Sequence, residues 1–486
     1  MPPLSQPTGY RPLWHQRNRA SKMTSERYAV TEEVLRRFDK PGPRYTSYPT
    51  AAEFHEGVGE QAYRERLADA DAQGADAPLS LYTHLPFCEH RCLFCGCHVV
   101  ITQHLDIAGK YLDYLKREID LVAESLPRRR TVAQLQWGGG TPTYFTPDQL
   151  TDLFEHVADH FTFQDDAEIA IEVDPRVTSK EHLDCLVELG FNRLSMGVQD
   201  LTPEVQEAIT RNQTLEQTRN LLEYARKVGF TEGINLDLIY GLPRQRMETF
   251  EENLRQVIDL RPDRVAVYSF AFVPWIKGHQ KKLDRDELPS PDLKFQLYLR
   301  AMEGFLEAGY EPIGMDHFAL PDDELAQAAR SRRLRRNFMG YTVKPASDMV
   351  AFGISGIGDV QRGYFQNEKK LSTYYAAIDE GRLPVSKGYL LDDDDRIRRF
   401  VITQLMCNFC VNKADVTELF DVSFDEYFST SLERLEEPLE AGLVEVTDDA
   451  VVVTDAGRLF VRNVCMAFDR YLTERQQEKP VFSQTV

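Results

Sequence analysis

The sequence lacks what would carry it into or across a membrane. No apolar run approaches the roughly 18 residues that spanning a bilayer requires. The first residues show no charged start followed by an apolar stretch, as a secretory leader would. A cytoplasmic chain with no membrane partner is therefore expected. Positive charge is in deficit: 57 Lys and Arg against 77 Asp and Glu leave a net charge of -20. Such a surface repels polyanions, so nucleic acid is not an expected partner. Cysteine is scarce, with eight in 486 residues, and too unevenly placed for a disulfide framework. Acidic residues are absent from residues 1–22, which are rich in proline and show no periodicity. A transit peptide would form an amphipathic helix, which those prolines oppose, so residues 1–40 are read as a flexible extension.

What is present is a repeating pattern. From Leu79 to Phe272 short apolar runs alternate with amphipathic stretches. LSLYTHL, QLQWGGG, AEIAIEV, NRLSMGV, INLDLIY and RVAVYSF read as six strands, and the intervening segments as helices. Six β/α repeats imply a parallel sheet with right-handed crossovers, hence an α/β fold built on a full or partial TIM-like β/α barrel. Polar or glycine-rich residues fall at successive strand ends: Tyr82 and His84, Gly138 to Thr141, Glu172 and Asp174, Gln199, Asp237 and Ser269. Barrel chemistry sits at those ends, so an active site in the barrel mouth is expected. The barrel domain is placed at 41–290, a connecting, substrate-covering region at 291–393, and a mostly helical domain at 394–486. GLVEVTDDAVVVTDAGRL in the last reads as a hairpin and gives it a winged-helix character, which keeps a DNA-binding alternative open. Its wealth of Asp and Glu favours a packing or lid role.

Four of the eight cysteines, Cys88, Cys92, Cys95 and Cys97, lie in HLPFCEHRCLFCGC, directly after the first strand. The C-x3-C-x2-C spacing offers three soft thiolates on one tight loop, suited to an iron–sulfur cluster or to zinc. Cys97 or His98 would supply the fourth ligand of a closed zinc site. The loop's position at the polar barrel mouth favours a cluster with one iron left open. GGGTPT after the second strand lets the backbone approach a ligand closely. Glu172 and Asp237 are candidate acceptors for a ligand's amine or hydroxyls, and Arg211 for its carboxylate; each also reads as a structural ion pair.

Cys88, Cys92 and Cys95 with the GGGTPT turn resemble the radical S-adenosylmethionine (SAM) superfamily. PRYTSYPTA, HLPFCEHRCLFCGC, QWGGGTPTY, IEVDPR, FNRLSMGVQD, DLIYGLP, GMDHFALPDDELA and RNFMGYT, in this order from about residue 40 onward, resemble the oxygen-independent coproporphyrinogen III oxidases within it. The resemblance implies oxidative decarboxylation of two propionates of coproporphyrinogen III to vinyl groups, giving protoporphyrinogen IX in haem synthesis. It also implies a [4Fe–4S] cluster and two S-adenosylmethionine molecules, one of which is cleaved to a 5′-deoxyadenosyl radical that takes a hydrogen from the propionate. Carried over position by position, Cys88, Cys92 and Cys95 match the cluster ligands. Tyr82, Gly139, Glu172 and Ile357 match contacts to the cluster-bound S-adenosylmethionine. Phe94, Gly140, Thr141, Gln199, Arg211, Asp237 and Ala271 match the second molecule's site. Tyr82 and His84, two residues apart on one strand face, are the catalytic candidates, and Cys97 matches a family cysteine that is not a ligand.

The pattern is departed from at Met339, where close relatives carry Gln. The resemblance further implies an electron donor of the flavodoxin or ferredoxin type, an unidentified electron acceptor and a monomer. Arg44, Tyr45, Tyr48, Arg193 and Arg336 are candidate partners for the substrate's four carboxylates. The other arginines of the run, Arg330, Arg332, Arg333 and Arg335, are read as a solvated helix face, and Cys407 and Cys410 as two buried thiols in a helix. A haem-binding chaperone related to the same enzymes is the alternative function. Such relatives generally keep the three cysteines but lack the CGC ending and the extended RNF-GYT region, both present here.

Overall fold

The computed structural model describes residues 32–344, 346–474 and 484; the extension expected over 1–22 lies outside them. All six anticipated strands form: β1 (Leu79–Leu85), β2 (Thr131–Gly139), β3 (Thr162–Val173), β4 (Arg193–Gln199), β5 (Ile234–Tyr240) and β6 (Arg264–Ser269). They pair in this order and all run parallel. The crossovers carry α1 (Leu105–Ser125), α2 (Pro147–His160), α3 (Lys180–Glu188), α4 (Leu215–Val228) and α5 (Met247–Leu260). Local chemistry starts these helices where the sequence turns polar. Thr146, Ser179 and Thr214 each close a reciprocal capping box with the residue three positions on, satisfying donors that a helix start leaves open. In β5, INLDLIY is buried at every position except Asp237, which is half-buried. A strand covered on both faces explains the continuous apolar run, and Asp237 interrupts it.

The sheet grows beyond the repeats. After α6 (Pro291–Glu307), β7 (Glu311–Gly314) and β8 (His317–Ala319) extend the sheet, β8 pairing antiparallel with β6 and β7 antiparallel with β8. On the other edge β9 (Asp348–Phe352) pairs parallel with β1, followed by antiparallel β10 (Ile357–Val360), β11 (Gly363–Asn367) and β12 (Val385–Leu390). Twelve strands form one sheet whose two ends are not paired to each other, so the barrel stays open. Half of those strands come from the stretch expected to be a connecting region. They are three to six residues long, too short for alternation to separate them from loops. The main apolar core lies between the sheet and its helices.

A second core holds the C-terminal part together. α7 (Asp393–Asn408) packs with a small sheet in which Val444–Val446 and Ala450–Val453 form the anticipated hairpin. Tyr45 and Tyr48 of PRYTSYPTA enter this core, so that block straps barrel and C-terminal part together. Two expectations need correction. The helix carrying Arg330 ends there, Arg332 has a left-handed φ of 53°, and Arg335 and Arg336 stand on a short strand; Arg332, Arg333 and Arg335 are solvated, but not on a helix face. Phe409, at φ 56°, ends α7, so buried Cys407 is helical whereas buried Cys410 lies in the strand beyond. No described helix is long and apolar enough to cross a membrane.

Candidate active site

The cysteine loop leaves β1 through Pro86 and returns at Val100. Phe87–Cys88 pairs with Val100–Ile101, and Val100 N–H donates to Pro86 O at 2.8 Å. Leu93 N–H donates to Ile209 O at 3.0 Å, and Thr210 Oγ1 to Arg91 O at 3.2 Å, so the segment after β4 fixes the loop's far side. The turn after β2 fixes its base: Gly140 N–H donates to Leu85 O and Thr141 N–H to Phe87 O, both at 2.9 Å. Two glycines are required there. Gly139 has φ +113°, and a Cβ on it would meet the His84 ring at 2.4–2.9 Å. A Cβ on Gly140 would meet the Pro86–Phe87 backbone at 2.5–2.7 Å, where nothing can yield.

A cavity of about 310 Å³ opens between loop and strand ends. Among the anticipated residues Cys88, Cys92, Phe94, Cys95, Gly139, Gly140, Thr141, Glu172, Gln199, Arg211 and Asp237 line it, as does Cys97. Tyr82 and His84 do not. They stand behind the loop, where Tyr82 Oη lies 3.0 Å from His84 Nδ1 and His84 Nε2 lies 2.9 Å from His98 O. A carbonyl only accepts, so Nε2 carries the proton and Nδ1 accepts from Tyr82. Burial lowers the His84 pKa to about 4, so the ring is neutral and ties β1 to the end of the loop. Ala271 and Ile357 also lie outside the lining. Ala271 O and Phe94 O share the Gln280 amide as donor. Ile357 packs with Phe338 on the Phe54, Tyr364 and Leu391 cluster.

The cavity's electrostatics are uneven. Glu172 accepts from Gly139 N–H at 3.1 Å and from Gln136 Nε2 at 3.0 Å; burial raises its pKa. Asp237 accepts from Asn235 Nδ2 at 2.8 Å and Ser195 Oγ at 3.3 Å, and burial pushes it up to about 7. Neither has an ion-pair partner among the described residues, so a cationic ligand entering the cavity would be attracted to both. On the opposite wall sequence reasoning named Asp174 and Arg211 but missed Arg176. Arg176 grips Asp174 through two nitrogens and reaches Cys92 Sγ at 3.6 Å. Arg211 donates to the same Asp174 oxygen at 2.8 Å, with Cys92 Sγ at 3.9 Å, and its buried Nε has no partner. The signal was available in IEVDPR: Asp174 shares a strand face with Glu172, and Arg176 follows at once. Gln199, with a left-handed φ of 69°, keeps a costly backbone at the cavity wall. A second cavity of about 110 Å³ adjoins the first through Glu172, Ser195 and Asp237, and Met339 lines it.

The donor set suits a cluster better than a single ion. A tetrahedral zinc with Zn–S near 2.3 Å draws its sulfurs to within about 3.8 Å of one another. Among the described residues, one trio of His, Cys, Asp or Glu has its ligand atoms all within 4.8 Å, and it is Asp120, His156 and His160. No trio of the loop thiols is drawn together that closely, and Cys88, Cys92 and Cys95 are the three facing the cavity in the C-x3-C-x2-C spacing. The two uncompensated carboxylates and the Arg176–Arg211 wall match a ligand carrying both positive charge and a carboxylate.

Comparison with known proteins agrees. Residues 82–257 match the Radical SAM superfamily, and residues 391–460 the HemN C-terminal domain. Oxygen-independent coproporphyrinogen III oxidase of Escherichia coli is 45% identical over 442 residues, covering 91% of this chain and 95% of that protein. The chain belongs to the oxygen-independent coproporphyrinogen III oxidase family. The Pseudomonas aeruginosa member is 43% identical over 449 residues. The solved coproporphyrinogen III oxidase (HemN) of Escherichia coli, described as a radical SAM enzyme, superposes with a TM-score of 0.85 over 88% of this chain and 97% of its own. Membership makes the chain a radical SAM oxidoreductase of porphyrin synthesis, its cofactors an iron–sulfur cluster and S-adenosylmethionine.

Proposed function

We propose that the chain carries out the family's oxidative decarboxylation of two propionates of coproporphyrinogen III at this cavity, with Cys88, Cys92 and Cys95 as the cluster's ligands. The single observation behind this is that the three thiols and two uncompensated carboxylates face one cavity, from the loop after β1, the end of β3 and the middle of β5. When bound, the [4Fe–4S] cluster and S-adenosylmethionine supply the radical that removes a propionate hydrogen. The protein's part is to hold and orient. Gly139 and Glu172 receive the polar end of the cluster-bound S-adenosylmethionine. Gly140, Thr141, Gln199, Arg211 and Asp237 bind a second molecule, with Phe94 and Ala271 beside it. Glu172 and Asp237 gain their missing positive charge from these cationic ligands. Tyr82 and His84 position the loop through His98, and Ile357 shapes the margin near Phe338.

For the substrate, Arg44 is the best placed of the earlier candidates, its side chain 35% exposed beside Asp316. Tyr45, Tyr48, Arg193 and Arg336 are engaged inside the fold. The remaining partners are a one-electron donor of the flavodoxin or ferredoxin type and an electron acceptor. The chain works as a cytoplasmic monomer, with a barrel at 41–290, a covering region at 291–393 and a C-terminal domain at 394–486. Anaerobic incubation of reconstituted protein with S-adenosylmethionine, reductant and coproporphyrinogen III tests the reading. Formation of 5′-deoxyadenosine and protoporphyrinogen is expected; stoichiometric haem binding with neither product would favour the haem-carrier alternative.

A further inference from the structure

Seven large apolar side chains stand exposed among the described residues, and four of them, Ile101, Leu105, Trp275 and Ile276, flank the cysteine loop. Scatter over the surface would not gather them there. Ile101 pairs with Cys88 in the short parallel strands. Trp275 and Ile276, 60% and 58% exposed, sit on a loop stitched to the cysteines from outside. His279 Nε2 donates to Cys95 O at 2.9 Å, Lys277 Nζ to Cys97 O at 3.4 Å and Gln280 Nε2 to Phe94 O at 3.4 Å.

The charge of this face is opposite to that of the chain. Between Arg264 and Asp284 there is no acidic residue, while Lys277, Lys281 and Lys282 fall within six positions. Lys281 and Lys282 are exposed and make no ion pair among the described residues. Arg91 stands beside Cys92 in the loop, with Glu89 its acidic neighbour. In a chain of net charge -20, a basic rim around the exposed apolar pair Trp275 and Ile276 selects for an acidic protein and seats it by desolvation.

We propose that this face docks an acidic one-electron carrier protein, whose reduced cofactor passes a single electron to the cluster across the Cys95–Cys97 backbone. The carrier is oxidised by one electron, the cluster is reduced by one, and no proton moves. This rests on the proposed function, from which it takes the cluster. The test uses anaerobically reconstituted holoenzyme and an acidic flavodoxin as probe. Flavodoxin affinity is read by calorimetry, and 5′-deoxyadenosine formation is driven in parallel by dithionite, which needs no docking face. Lys281→Glu with Lys282→Glu, and separately Trp275→Ser with Ile276→Ser, should each weaken flavodoxin binding roughly tenfold or more. The charge variant should also flatten the salt dependence, and dithionite-driven turnover and the KM for coproporphyrinogen should hold. Affinity within twofold of the unaltered chain overturns the proposal, as does a raised KM under dithionite, which would give the face to the substrate. Failure of dithionite-driven turnover in the unaltered chain strikes instead at the reaction assignment, and the affinity titration still decides the docking.

A separate observation lies on the outer helices. His156 and His160, one turn apart on α2, both place Nε2 against Asp120 Oδ1 of α1, at 2.9 and 2.8 Å. His156 Nε2 also lies 3.2 Å from Lys116 O. The geometry points to a zinc-class site with two imidazoles and one carboxylate, its fourth position open to water because all three side chains are partly exposed. Tag-free holoenzyme, its cysteines already occupied, is dialysed against zinc and titrated with a chromophoric chelator. One zinc per chain beyond the cluster is expected, lost in His156→Ala with His160→Ala and weakened roughly tenfold in Asp120→Asn. No retained zinc, or retention unchanged in a double variant whose melting shows it folded, overturns the assignment.

Discussion

Two blocks, the cysteine loop with its GGGTPT turn and the PRYTSYPTA strap, are built from polar groups placed at buried positions, yet the structure uses them oppositely. In the strap the chain satisfies itself. Arg44 pairs with Asp316, Tyr45 Oη donates to Asp469 at 2.9 Å, and Tyr48 Oη accepts from Arg470 N–H at 3.1 Å. Arg462 donates to Pro43 O, and Arg336 to Arg44 O, both at 2.9 Å. Burial works against Asp316, but Arg44 and His317 hold its carboxyl well below the usual range. At the cavity the balance is left open: Glu172 and Asp237 are pushed up by burial and receive only neutral donors. A buried acid whose charge the chain answers is structure; one left without a cation and facing an open cavity is placed to receive a cationic ligand.

Substitutions on the two sides should separate function from stability, and Cys92→Ala should show the largest effect. Removing one of three ligands abolishes the cluster's visible absorption and all cleavage of S-adenosylmethionine, read by spectrum and by 5′-deoxyadenosine; retained activity would break the ligand assignment. Gly140→Ala comes next. Its Cβ drives into the Pro86–Phe87 backbone and displaces the loop, so turnover should fall about a hundredfold, with about 1–3 kcal/mol lost in stability. On the other side Tyr45→Phe removes one buried hydrogen bond. Urea unfolding should show a loss of about 1–2 kcal/mol, while turnover per folded molecule stays level.

Asp237 sharpens the comparison through pH. Its folded value of about 7 lies above the ordinary 3.8 because of burial, so the folded state holds the proton more tightly than the unfolded chain. Asp237 therefore costs stability progressively as pH rises from about 4 to about 7, and the cost then levels off. In melts without S-adenosylmethionine, Asp237→Asn should gain on the unaltered chain across that window and stay ahead above it. Binding of the cationic S-adenosylmethionine should release protons below pH 7 in the unaltered chain, by calorimetry in buffers of different ionisation enthalpy, and fewer in the variant. The smallest effect is expected at Met339→Gln. Met339 lines the adjoining cavity, and one added polar contact should change S-adenosylmethionine affinity by no more than about tenfold.

Much of this was legible in the residues. The six strands and their polar ends follow from alternation of apolar runs with helical ones, and the thiol spacing narrows the loop to an iron–sulfur cluster or zinc, between which its place at the barrel mouth favours the cluster. What alternation does not carry are the short strands on both flanks, such as HFA at 317–319, which owe their pairing to the sheet they join. The joining of Arg176, Asp174 and Arg211 was hidden for another reason: they come from different strand ends, and only folding brings the two arginines to one carboxylate and one sulfur. Tyr45, Tyr48, Arg193 and Arg336 looked like substrate ligands because the residue types are the same; hydrogen-bond accounting in three dimensions separates them from Arg44. Tyr82 and His84 were rightly seen to share a face, but that face holds the loop from behind.

The central claim is that three sulfurs grip an iron–sulfur centre and leave one corner for S-adenosylmethionine. Mössbauer spectroscopy of isotopically enriched, anaerobically reconstituted protein, before and after S-adenosylmethionine is added, tests it most directly. One [4Fe–4S] centre per chain is predicted, with a single iron changing its surroundings on addition. Four irons indifferent to S-adenosylmethionine, or zinc in their place, would contradict it.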